Sequence, residues 1–329
     1  MIVPKPRRFT PKRLILAGAA AGLLMCASAF GGLYAYADWY GINVLLRRGG
    51  TTWETVTSDS PNLSPSMRLA LQNPSPAAAA GPFAWRQLAE GFDIAELPVI
   101  AAGTEVDRVL LARVDPTRFR FEVRNGAAGN KGLDDWMNEL GAILVINGSY
   151  YARRGTPDTP FLSAGVQLGP REYDARHGAF VAADAGTSIH DLAAESWQAA
   201  FAGAHDAMVS YPLLLAADGS SRSKADRRWL ANRSFVGQDR AGRIVLGTTT
   251  DAFFSLDRLG PFLRDAPLDL ITVLNLDGGP VACQGVALGG YYRRFCGRWE
   301  TQTTGDSIRV IGWRFGTWAL PVVLAVVQK

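Results

Sequence analysis

Short apolar runs bounded by turn residues dominate the chain beyond residue 85. Residues 108–114 (Arg-Val-Leu-Leu-Ala-Arg-Val) and 119–123 read as strands parted by a turn at Asp115-Pro116, and 178–183, 208–216, 234–237 and 244–248 carry the same pattern. Residues 142–146 run into Asn147-Gly148 and 270–276 into Asp277-Gly278-Gly279, which predicts two buried strands with polar ends. Helical spacing is confined to two short segments. In 132–140, Leu133, Trp136 and Leu140 share one face, and 255–263 begins at Ser255, a residue suited to cap a helix start. Strands outnumber helices and no repeat of fixed period occurs. The predicted class is α+β, a mixed, strand-rich sheet with a few short helices packed on it.

Upstream the pattern changes twice. Residues 14–37 carry no charge and include Leu14, Ile15, Leu16, Leu23, Leu24, Met25, Phe30 and Leu33. As a helix at about 1.5 Å per residue, such a run covers the roughly 30 Å of a bilayer's hydrocarbon core. Tyr34, Tyr36, Trp39 and Tyr40 stand at its far end, while Lys5, Arg7, Arg8, Lys12 and Arg13 precede it with no acid among them. The expectation is one transmembrane signal anchor at 14–37, a basic tail at 1–13 in the cytoplasm, and a periplasmic or extracellular body. A cleaved signal peptide is the alternative, since Ala27-Ser28-Ala29 and Ala35-Tyr36-Ala37 both have the small-x-small form, and the protein is then secreted. Residues 38–84, rich in Gly, Ser, Thr, Pro and Ala, read as a flexible tether, leaving a folded domain at 85–329.

Composition agrees with a globular body: of 329 residues, 48% are apolar and only 19% charged, enough apolar material for a sizeable core. The formal charge of +4 and pI near 9.0 suggest a polyanion partner until the charges are located. The five N-terminal cations exceed the whole net charge, so the body is nearly neutral and nucleic acid is set aside as a partner. Cys26 lies in the apolar run. Cys283 and Cys296 lie in the exported part, where the environment permits oxidation; they form either a disulfide or two separate buried thiols. The disulfide would contribute on the order of 3 kcal/mol by restricting the unfolded chain.

Candidate chemistry gathers at strand ends. Asn147-Gly148-Ser149-Tyr150-Tyr151 and Asn275-Leu276-Asp277-Gly278-Gly279 each pass from an apolar run into small polar residues, where glycine admits close approach to backbone. The same dipeptides are also preferred hairpin turns. Arg233 opens an apolar strand and is either a surface ion-pair partner or a two-pronged donor to an oxyanion such as phosphate. Asp251 follows Thr248-Thr249-Thr250 and is a capping or catalytic candidate. His177, His190 and His205 show no metal-ligand spacing, and 285–290 lacks the helix that a dinucleotide fingerprint requires. Sequons at Asn62, Asn147 and Asn232 are formal only.

In order and content these segments resemble the phosphodiester glycosidases related to N-acetylglucosamine-1-phosphodiester alpha-N-acetylglucosaminidase, over about residues 106–310. The family's strand end, Gly-Pro or aromatic element, Arg-led strand, closing Asp, short helix and Asn-Leu-Asp-Gly-Gly motif are similar to 147–151, Tyr211-Pro212, 233–237, Asp251, 255–263 and 275–279. Pro280-Val281-Ala282 departs from the family's Gly-Ser-Ser, removing two hydroxyls beside Asp277, and Ser149 stands where the family has glycine. The resemblance implies hydrolysis of a sugar-1-phosphodiester, in envelope or exported glycan metabolism. It implies Asp277, Asp251 and Arg233 as catalytic and Asn147, Gly148, Ser149, Tyr150, Tyr211, Asn275, Gly278 and Gly279 as substrate-binding. Arg233 and the Gly278 and Gly279 N–H groups would face charge building on the phosphate, and Asp277 the anomeric carbon. No cofactor is implied and a divalent cation is left open. A different class of function is a non-catalytic, membrane-tethered module that binds polysaccharide through Tyr150, Tyr151, Tyr291 and Tyr292.

Overall fold

The strand Leu144–Asn147 is buried at every position and so is most of Leu270–Asn275, which requires apolar cover on both faces of each. The computed structural model, which describes residues 11–35, 54–126, 129–152, 155–174, 177–224, 229–304, 307–312 and 318–329, supplies that cover with two facing sheets. One has five strands in the order Tyr291–Cys296, Cys283–Leu288, Leu144–Asn147, Val322–Gln328, Phe119–Asn125. The other has eight. Its path runs Leu213–Leu215, Leu270–Asn275, Ser234–Asp239, Ile244–Thr249, Thr104–Val114, Phe92–Ala101, Ala78–Ala80, with Arg86–Ala89 also paired to Phe92–Ala101.

Because successive side chains alternate between faces, each strand feeds two layers of core. Leu144, Ile146 and Leu274 meet between the sheets with Phe121, Val236, Leu246 and Leu324. Val145 points outward to Leu133, Trp136 and Met137 of helix Leu133–Leu140, and Val273 points outward to Leu259, Phe262 and Leu263 of helix Leu256–Asp265. The layering is helix, sheet, sheet, helix. Two smaller sheets complete the body, one of five strands around Gly178–Ala183 and Ala204–Ser210, the other in the order Glu54–Val56, Ser307–Gly312, Trp299–Thr304, Trp229–Ala231.

The strand-rich α+β class is therefore correct, with one revision. Every strand pairing among the described residues is antiparallel, so no sheet is mixed. The two helices cover outer faces and do not serve as crossovers between parallel neighbours. The run 208–216 divides at the cis peptide Tyr211-Pro212 into Ala204–Ser210 and Leu213–Leu215. Ser255 does occupy the helix N-cap, but its hydroxyl accepts from Arg258 Nε at 3.0 Å and makes no cap bond.

The tether expectation fails over 54–84. Glu54–Val56 pairs with Ser307–Gly312, Ala78–Ala80 pairs with Phe92–Ala101, and helix Pro65–Ala70 buries Met67 against Leu63, Ala252, Ile308 and Val310. Its Ser and Pro residues are a helix start: the Ser64 hydroxyl accepts from Met67 N, with Pro65 in the first turn. Cys283 and Cys296 form a disulfide between directly opposed strand positions. At the N-terminus a helix runs Pro11–Ala35, with Ile15, Leu23, Leu24, Met25, Phe30 and Leu33 exposed. Among the described residues no helix is long and apolar enough to cross a membrane. The basic residues Lys5, Arg7 and Arg8 and the aromatic residues Tyr36, Trp39 and Tyr40 lie outside the described residues.

Candidate active site

The two polar strand ends belong to different sheets, and Asn147 joins them. Its Nδ2 donates to Asp277 O at 2.7 Å and its Oδ1 accepts from Cys283 N at 3.0 Å, while Asp277 N donates to Gly148 O at 3.1 Å. Asn147 is 2% exposed, and its bonds position the turn that carries Asp277. Gly148 is required by packing: a Cβ there would lie 2.5 Å from Val322 Cγ1. Ser149 is buried as well. All three, expected to bind substrate, are buried.

Arg233 lies beneath the same turn. It is 4% exposed; Nε donates to Phe254 O at 3.1 Å and Nη2 to Trp229 O at 2.9 Å. Two prongs of the expected phosphate donor thus hold main-chain carbonyls. Nη1 faces the turn, 3.3 Å from where a Gly278 Cβ would stand. Burial pushes the guanidinium pKa down, and the negative charges of Glu300, Asp277 and Asp257 oppose that shift. Arginine keeps its proton against such pressure, so a positive charge sits under the Asp277 turn.

The backbone N–H groups assigned to phosphate are occupied. Gly278 N donates to Asp277 Oδ1 at 2.9 Å and Gly279 N to Asn232 O at 2.8 Å. They brace the turn instead. Asp277 itself is partly exposed, with one carboxylate oxygen anchored by that Gly278 bond. One wall beside it is aromatic: Tyr150 and Tyr211 stack at 4.1 Å between centroids, and His177 follows at 4.6 Å from Tyr211. Asn275, fully buried, orders this wall by donating Nδ2 to Tyr150 Oη and Tyr211 O, both at 2.9 Å. Burial first, then the charge of Asp277, pushes the Tyr150 phenol pKa up, so it stays a neutral donor. Burial pushes His177 down, keeping it neutral near pH 7.

Asp251 is directed elsewhere. Its Oδ1 accepts from Ser64 Oγ at 2.8 Å and Ala252 N at 2.7 Å, and its charge raises buried Asp107. The acids placed near Arg233 are Asp277, Glu300 and Asp257, the last in the first turn of helix Leu256–Asp265. Sequence reasoning missed Glu300, Trp229 and Asn232. Asn232, fully buried, receives Gly279 N, Arg298 N and Trp299 N, and so ties the Asp277 turn to strand Trp299–Thr304; its sequon, like that of Asn147, is inaccessible. Only the place of Asn232 just before Arg233 hinted at this. Tyr291 and Tyr292 lie on strand Tyr291–Cys296, and Tyr292 Oη donates to Asp134. Among the described residues no group of three or more His, Cys, Asp or Glu side chains is placed to hold a metal ion.

The family model for phosphodiester glycosidase matches residues 140–283. No curated protein matches the chain. Among solved structures, the catalytic domain of zebrafish N-acetylglucosamine-1-phosphodiester alpha-N-acetylglucosaminidase, auto-inhibited by its pro-peptide, is similar at 15% identity and a TM-score of 0.48, over 85% of this chain and 89% of that one. A hypothetical protein from Synechocystis is similar at 15% identity and a TM-score of 0.46, over 76% of this chain and 64% of that one. The stretch that matches the phosphodiester glycosidase family, residues 140–283, is thus the one that holds Asn147, Arg233, Asn275 and Asp277, as their motifs implied.

Proposed function

We propose that the protein hydrolyses a sugar-1-phosphodiester, breaking the bond between the anomeric carbon and the phosphate oxygen. The observation that carries this reading is the pairing of a partly exposed carboxylate, Asp277, with a buried guanidinium, Arg233, across a glycine turn. Phosphate leaves readily, so the demand on the enzyme is to stabilise an oxocarbenium-like carbon and the negative charge gathering on the departing oxygen. Asp277 meets the first demand as the carboxylate beside the anomeric carbon. Arg233 meets the second as a fixed positive charge in a low-dielectric setting, where it acts more strongly than a solvated one. The neutral Tyr150 hydroxyl and the Tyr150–Tyr211 wall would orient the sugar ring and its hydroxyls.

The test uses a panel of sugar-1-phosphodiesters and measures released reducing sugar. Asp277→Asn should lower kcat by about 10²-fold or more, as loss of a group acting at the reacting carbon does. Arg233→Lys, which keeps charge but not the carbonyl bonds, should lose most turnover while a thermal melt reports folding. No turnover by the wild-type protein across the panel, with saturable glycan binding, would establish the polysaccharide-binding alternative. Solvent oxygen label appearing in phosphate would instead mark P–O cleavage.

We further propose that the uncharged run 14–37, of which the described helix Pro11–Ala35 is by itself not long and apolar enough to cross a bilayer, anchors the protein in a membrane with its body outside, where it would act on envelope or exported glycans. The exposed Ile15, Leu23, Leu24, Met25, Phe30 and Leu33 support this, since so many large apolar side chains on one helix call for a nonpolar surrounding.

A further inference from the structure

Hydrolysis at an anomeric carbon needs a second protonatable group, because the incoming water must lose a proton. Asp251, expected among the catalytic carboxylates, points its Oδ1 at Ser64 and lies beside buried Asp107. The described structure supplies another carboxylate. Glu300 lies on strand Trp299–Thr304, beyond the 140–283 match and outside every motif, and the ladder sets it opposite Ala231, two residues before Arg233.

Three observations place its side chain at the Asp277 turn. Trp229 Nε1 donates to Glu300 Oε1 at 2.7 Å, and the Trp229 carbonyl accepts from Arg233 Nη2, so one residue positions both the acid and the guanidinium. Glu300 Oε2 lies over Gly279: a Cβ there would stand 2.7 Å from that oxygen, and the φ of +72° is one that glycine adopts freely. The charges of Glu300 and Asp277 act together on both Arg233 and the Tyr150 phenol, so the two carboxylates flank the same pair of groups.

We infer that Glu300 is the catalytic general base of this site; the inference rests on the glycosidase reading above. Glu300 takes a proton from water as the water oxygen bonds to the anomeric carbon. The bond from that carbon to the phosphate oxygen breaks, its electron pair leaves with the phosphate monoester, and the proton passes from Glu300 to solvent. Asp277 faces the same carbon and balances its positive charge.

The experiment compares the full-length wild-type protein, Glu300→Gln and Glu300→Asp on whichever sugar-1-phosphodiester of the panel the wild type cleaves. Glu300→Gln should lower kcat by about 10²- to 10⁴-fold and abolish the acidic limb of the pH profile. Added azide, which needs no deprotonation, should restore turnover and give a glycosyl azide. Glu300→Asp should retain part of the activity and the acidic limb, and it carries the test if Glu300→Gln does not fold. A Glu300→Gln rate within tenfold of wild type, an unchanged acidic limb, or a folded variant that azide fails to rescue overturns the inference. Absence of wild-type turnover on the whole panel refutes the glycosidase reading itself, a result distinct from any of these.

Discussion

Asp107 shows how a single side chain couples this fold to pH. Its Oδ1 accepts from the N–H groups of Arg108, Thr250 and Asp251, yet burial and the nearby Asp251 charge raise its pKa from 3.8 to about 8. The folded chain therefore holds this proton across a range in which the unfolded chain has released it. The stability it contributes is complete below about pH 4 and is lost as pH rises toward 8, at up to about 1.4 kcal/mol per pH unit. Asp107→Asn keeps an acceptor oxygen for the same three donors and removes the ionisation. It should unfold at a higher denaturant concentration than wild type at pH 8, with the gap closing by pH 4. Parallel curves for the two proteins between these pH values would show that Asp107 does not titrate there.

The segment before the main sheets shows how composition misleads at the scale of an element. Ser, Pro, Thr and Asn between 57 and 66 suggest an extended tether, because such residues bury little apolar surface. The same residues open a helix, and the few apolar positions beside them, Leu63, Met67 and Ala70, are all buried. A helix of six residues has no stability of its own, so its order comes from packing on the body. Met67→Ala should then cost about 2–5 kcal/mol, the usual range for emptying a core position, read as a lowered Tm of the full chain. A free tether would give no change. Ser64 connects this element to the strand end at Asp251 by donating to its Oδ1.

At the scale of the molecule, the site exists where three sheets meet. Residues 147, 275 and 300 belong to three strands of three sheets, Arg233 stands just before the strand Ser234–Asp239, and Asn147 and Asn232 cross-link these segments through main-chain bonds. The remaining whole-molecule question is where that body resides. If helix Pro11–Ala35 is an anchor, the full-length protein should sediment with membranes and resist alkaline extraction. Leu23→Arg with Leu24→Arg should move it to the soluble fraction, since each charge near a bilayer centre costs roughly 2.5–3.5 kcal/mol. Equal partition of both proteins would end the anchor proposal.

Much of this was legible in the chain. The two apolar runs ending in Asn147-Gly148 and Asp277-Gly278 are strands, 133–140 and 256–265 are helices, and the motif order led to the family whose model matches 140–283, because periodicity and turn chemistry act over a few neighbouring residues. Arg233 and Asp277 were singled out in the same way. What no local pattern contained was which atoms of those residues remain available. Hydrogen bonds spend two prongs of Arg233 on Phe254 and Trp229, both glycine N–H groups on the turn, and Asp251 on Ser64. Those partners, like the approach of Glu300 to Gly279, come from distant segments brought together by strand pairing. The sequence by itself determined the elements and the chemistry carried at their ends. Only the tertiary structure decided which of those groups meet, because side-chain contacts across sheets depend on register and layer packing, which short-range propensity does not encode.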